Sequence, residues 1–120
     1  MSRYIQFTGT MNNKIKIYLD DERKAPEGWI RCRWPNEVIE LIQKGNVTHI
    51  SLDHDLGGYY DDNDKEITGM DVLNWLEEKV EENKNFDLPL ITIHTQNVAK
   101  IDEMIKLADK IHRKWMDNDF

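Results

Sequence analysis

The run VTHISLDHDLGG at residues 47–58 decides how this chain is read. Its first half, Val47 to Leu52, is apolar and β-branched and lasts about as long as a typical strand of ~5–6 residues. It then passes directly into Asp53, His54 and Asp55, followed by Gly57-Gly58. Two further runs share this form. KIKIYL (14–19) ends in Asp20-Asp21-Glu22-Arg23, and LPLITI (88–93) ends in His94-Thr95-Gln96-Asn97. A weaker run, WIRCRW (29–34), alternates apolar and basic residues and suits an outer, half-exposed strand.

Helical patterns separate the strands. Asn36 is expected to cap a helix containing Val38, Ile39, Leu41 and Ile42 that stops at Gly45. Met70, Leu73, Leu76 and Val80 recur at helical spacing in a second helix. A third carries Val98, Ile101, Ile105, Ala108, Ile111 and Trp115 as its core stripe. Strands alternating with helices predict an α/β fold with a mainly parallel sheet. In open sheets of this kind ligands bind beyond the carboxyl ends of the strands, where the acidic and histidine-bearing turns lie.

The composition removes several classes. In 120 residues there are 23 acidic and 16 basic side chains, a formal charge of −7 that opposes DNA and anionic membranes. No apolar run approaches the ~20 residues of a membrane span, and the first residues lack a signal-peptide core. One cysteine, Cys32, cannot form an internal disulfide and fits a cytoplasmic location. Residues 1–13 read as an N-terminal extension or an added edge strand, and residues 14–120 as one domain. The sequence does not decide between the two readings of 1–13.

Each strand-end group also has a plain structural reading. Adjacent acids often serve as turns or caps, and His94 alone would be a satisfied structural histidine. The coincidence of all three turns favours a functional crevice. Asp20, Asp21 and Asp53 are hard oxygen ligands of the kind Mg²⁺ accepts. Histidine as a residue type changes charge near neutral pH, so a facing pair, His54 and His94, could share general-base and general-acid work. Arg23 can fork two hydrogen bonds to a phosphate, and Thr95 and Asn97 supply neutral donors. This inventory resembles phosphoryl chemistry more than acyl transfer. There is no P-loop or GxGxxG. The calcium-like run Asp61 to Glu66 has Ile67 where an EF-hand needs glycine, so it reads as a solvated loop able to act as a flap over the crevice.

IYLDDER (17–23), APEGW (25–29), SLDHDLG (51–57), Thr68-Gly69 and IHTQN (93–97), in this order, resemble the cyclic-phosphate-processing receiver-like family of bacteria and phages. The resemblance implies a three-layer flavodoxin-like fold with helices on both faces of the sheet. Here that fold is reduced, lacking a clear first helix and fifth strand. It implies Mg²⁺ at Asp20 and Asp21, Asp53 in the place of the receiver phosphoacceptor, and His54 with His94 as the family's added pair. Asp53 and Asp55 would orient the imidazoles. The expected activity is a phosphoesterase acting on a cyclic RNA end or cyclic nucleotide. The alternatives are a nucleotide-sequestering module of phage counter-defence type and an aspartyl-phosphorylated receiver. The oligomeric state is not legible.

Overall fold

Every strand of the main sheet stops at a residue that carries chemistry. The computed structural model describes residues 14–117, so the extension or edge strand at 1–13 lies outside the described residues. The elements run β1 (Ile15–Leu19), β2 (Ile30–Cys32), α1 (Pro35–Lys44), β3 (Val47–Leu52), β4 (Asp55–Tyr60), β5 (Glu66–Thr68), α2 (Met70–Glu82), β6 (Leu90–Ile93) and α3 (Val98–Asp117). Four strands form a parallel sheet in the order β2-β1-β3-β6. A flavodoxin-like sheet of order 2-1-3-4-5 that has lost its fifth strand has this arrangement. The segment between β1 and β2 holds no helix. The reduced receiver-like α/β fold is therefore present.

Alternation along β1 and β3 fixes what each face does. Ile17, Leu19, Ile50 and Leu52 are fully buried and meet Val38, Leu73, Leu76 and Met104 from the helices. The helices pack side by side, α1 on α2 and α2 on α3. The structure refines the layering expected on both faces. On the opposite face Lys16 and Thr92 are exposed, Leu90 is 60% exposed, and Tyr18 and His49 are half-buried. The segments missing from the reduced fold leave that face thinly covered among the described residues.

Three local expectations shift. Helix α1 starts at Pro35 rather than being capped by Asn36. Proline suits the first helical position, and Glu37 Oε1 accepts from the amides of Arg33 and Trp34 at 2.8 and 2.9 Å. Its end at Gly45, with φ 102°, is where the sequence puts it. In α3 the buried positions are Met104 and Ile111, while Val98 and Ile105 are 81% and 43% exposed. The apolar set on α3 is broader than one face, and the sheet selects the stripe through Met104. The residues after Asp53 form an antiparallel hairpin, β4-β5, that the sequence reading missed. Gly57 and Gly58 have φ of 101° and 77° within it, which disguises the strand. The acidic run is its solvated tip, where Asp61 Oδ1 accepts from the amides of Asn63 and Lys65.

Candidate functional site

Register places the site residues in one row. Leu19 lies beside Leu52 and Leu52 beside Ile93. The next residues, Asp20, Asp53 and His94, are each pinned by a carbonyl of the adjoining strand. The amide of Asp20 donates to Cys32 at 3.0 Å, that of Asp53 to Leu19 at 3.1 Å and that of His94 to Leu52 at 2.9 Å. Sheet hydrogen bonding thus continues one residue past the strands and fixes the backbone of all three. One side-chain ligand atom from each of Asp20, Asp53 and His94 lies within 4.8 Å of the others.

Asp20 is 1% exposed. Its Oδ1 accepts from the amides of Glu22 and Arg23, both at 2.8 Å, and its Oδ2 faces His94 Nε2 at 3.1 Å. Burial favours the neutral acid, but the Arg23 and Glu22 amides and the His94 ring outweigh it and hold the carboxyl below its usual range. Asp53 behaves oppositely. Burial raises its carboxyl, aided by the charge of Asp20 and opposed by the Thr95 hydroxyl and the His54 amide, which donates at 2.7 Å.

Both ring nitrogens of His94 are engaged. Ionised Asp20 can only accept, so Nε2 carries the hydrogen, and Nδ1 accepts from Ser51 Oγ at 2.7 Å. Burial lowers the ring's pKa against the pull of Asp20. Tyr18 stacks on the ring, with centroids 4.0 Å apart and planes 6° from parallel. Ser51 and Tyr18 escaped sequence reasoning. The signal was the period of two, which puts Tyr18, Ser51 and Thr92 on the face that His94 joins.

His54 belongs to a separate set. Its Nδ1 meets Asp55 Oδ1 at 2.6 Å, and Asn97 Nδ2 donates to both Asp55 oxygens at 3.1 and 3.2 Å. The His54 contact, then Asn97, hold Asp55 ionised below its usual pKa. Nδ1 therefore carries the hydrogen and Nε2 the lone pair. The hairpin is clamped here by the amide of Gly69, which donates to the His54 carbonyl at 3.0 Å. A Cβ at Gly69 would lie 1.8 Å from the Asp53 carbonyl oxygen, so only glycine fits.

A crevice of about 580 Å³ opens over this row. Asp20, Asp21, Arg23, Asp53, Asp55, Thr95 and Asn97 line it, together with Glu22, Glu66 and the hairpin glycines. The structure thus brings the sequence-predicted carboxylates, Arg23, Thr95 and Asn97 to one crevice, with Asp21 on the wall outside the Asp20-Asp53-His94 cluster. Neither histidine ring is among the lining groups. Six carboxylates face one guanidinium, Arg23. An anionic ligand entering here needs added positive charge. Two carboxylates and an imidazole are a donor set that can take a divalent cation, the imidazole favouring Mn²⁺ or Zn²⁺ over Mg²⁺.

Residues 15–110 match the family model of the cyclic-phosphate processing receiver domain. The chain belongs to that family. No curated protein and no solved structure matches it. The role is accordingly one related to cyclic phosphates, and the substrate carries phosphate. No helix among the described residues is long and apolar enough to cross a membrane.

Proposed function

We propose that the chain hydrolyses a cyclic phosphate ester in the crevice at the ends of β1, β3 and β6. The convergence of Asp20, Asp53 and His94 in a phosphate-processing family member carries this reading. These three residues would hold a divalent cation, which supplies the positive charge that a phosphate needs among six carboxylates. Arg23 adds a fixed guanidinium, and Thr95 and Asn97 hold Asp53 and Asp55 in place. His54, its Nδ1 hydrogen held by Asp55, takes a proton from water at Nε2. The water oxygen bonds to phosphorus, one ester P–O bond breaks, and the departing oxygen receives that proton from the imidazolium. The product is a phosphomonoester with a free hydroxyl. In this reading His94 is a cation ligand through Nε2, its hydrogen shifting to Nδ1 where Ser51 Oγ accepts it, rather than the second acid.

One observation favours a second reading. Both nitrogens of His94 are engaged and neither histidine lines the crevice, as suits a module that binds a nucleotide without turnover. A screen of 2′,3′-cyclic nucleotides, 3′,5′-cyclic nucleotides and cyclic dinucleotides, with Mg²⁺, Mn²⁺ or EDTA, separates the two. The enzyme reading expects product that requires a divalent cation and falls about 10²–10⁴-fold in His54→Ala. Intact substrates together with ligand-dependent rises in Tm would install the sequestering reading.

A further inference from the structure

Arg33 stands outside every group considered so far. It follows β2, and its amide is occupied by Glu37. Its guanidinium lies against two rings, with Cζ 4.1 Å from the centroid of Trp34 and 5.5 Å from that of Tyr59. Those rings meet edge to face at 5.4 Å and fix the plane of the group. Nη1 is buried without a hydrogen-bond partner, and the guanidinium forms no ion pair among the described residues. Among the described residues Nη1 is the one buried side-chain nitrogen or oxygen left without a partner.

Its position gives the unmatched charge a use. Gly57 lines the crevice, and a Cβ there would lie 3.0 Å from Arg33 Nη2 and 3.1 Å from the Tyr59 ring. The missing side chain leaves the guanidinium against the hairpin wall of the crevice. Arg23, the cation that lines the crevice, lies just past the end of β1 instead, and Arg33 stands behind the Gly57 wall. A buried donor without an acceptor is costly unless a ligand satisfies it, and a planar guanidinium held by aromatic rings suits the oxygens of a phosphodiester.

We propose that Arg33 is the binding site for a second phosphodiester, so that the preferred substrate carries a phosphate linkage beyond the cyclic phosphate that reacts. This rests on the crevice being a cyclic-phosphate site. It predicts preference for a dinucleotide over a mononucleoside cyclic phosphate. The shared chemistry is met by a linear RNA end bearing a 2′,3′-cyclic phosphate and by a cyclic dinucleotide.

Titration calorimetry of the full chain in Mn²⁺ would compare three probes: adenosine 2′,3′-cyclic phosphate, the diadenylate ending in the same group, and cyclic di-adenylate. Wild type is expected to bind at least one two-phosphate probe tenfold or more tightly than the mononucleotide. Whichever probe shows the preference identifies the source. Arg33→Met keeps the stem against the rings and should bring the ratio close to one, while Arg33→Lys, lacking the fork, should restore only part of it. Melting curves establish that the variants fold. Equal binding of all three probes by wild type, or a ratio unchanged in Arg33→Met, would overturn the proposal and leave the cyclic-phosphate reading standing. No binding of any probe would overturn both.

Discussion

Gly69 shows how one atom can govern the site. Its backbone is ordinary for a helix start, with φ −62° and ψ −19°, so the demand for glycine comes from the Asp53 carbonyl 1.8 Å from a Cβ. Gly69→Ala must displace the hairpin or the end of β3. It is expected to lower Tm and to remove ligand-dependent stabilisation together, as paired melting curves would record. Cys32 illustrates the reverse, a reactive group made inert. Burial, with Glu37 nearby, lifts its thiol to about 11, and the thiolate is the reactive form. Iodoacetamide at pH 8 should leave the native protein unmodified by mass spectrometry and label it fully in urea. At this scale the sequence revealed the reactive residue types, but not Ser51 or Tyr18, which look like ordinary strand residues until register sets them against His94.

Helix α3 shows how an element is chosen by its neighbours. Its apolar positions support more than one stripe, and packing on α2 and β6 buries Met104 and Ile111. Met104→Ala should cost about 2–5 kcal/mol in urea unfolding, whereas Ile105→Gln and Val98→Gln should stay within about 0.5 kcal/mol of wild type. The α2–α3 contact also carries charge. Glu77 Oε2 meets Lys114 Nζ at 3.0 Å and Lys110 Nζ at 3.3 Å. The Lys114 contact, chiefly, holds the Glu77 carboxyl below its usual value. A depressed carboxyl stabilises the fold above its unfolded pKa and loses that stability as pH falls through the folded one. Wild type should therefore lose an increment of stability below roughly pH 4.3. Glu77→Gln lacks that increment, and urea titrations at several pH values would reveal it. The hairpin was the element least legible in the sequence, because glycines at positive φ and an acidic tip hide a strand pattern.

Across the whole molecule, a thin sheet with three helices supports a crevice whose charge opposes the substrate class of its own family. The expected resolution is a cation shared by β1, β3 and β6. A ligand at a hundred times its Kd adds about 2.7 kcal/mol, so Mn²⁺ should raise Tm by several degrees, EDTA should reverse the rise, and Asp20→Ala should abolish it. Scanning calorimetry across a metal series would also rank Mg²⁺ against Mn²⁺ and Zn²⁺. A Tm indifferent to every divalent ion would remove the cation from the proposed function.

Local pattern alone determined the parallel α/β class, the three strands with their chemistry-bearing ends, and the grouping of Asp20, Asp21, Arg23, Asp53, Asp55, Thr95 and Asn97 around one crevice. Those features follow from hydrophobic period and from the rule that parallel strands deliver their ends to one edge. Which acids stand beside which histidine required the tertiary structure. A strand's partners and register are set by packing between segments far apart in sequence. The separation of His94-Asp20-Ser51 from His54-Asp55-Asn97 is invisible in DHD and HTQN. So are the unmatched guanidinium of Arg33 and the glycine that lets it approach, because both arise where β2 and the hairpin meet.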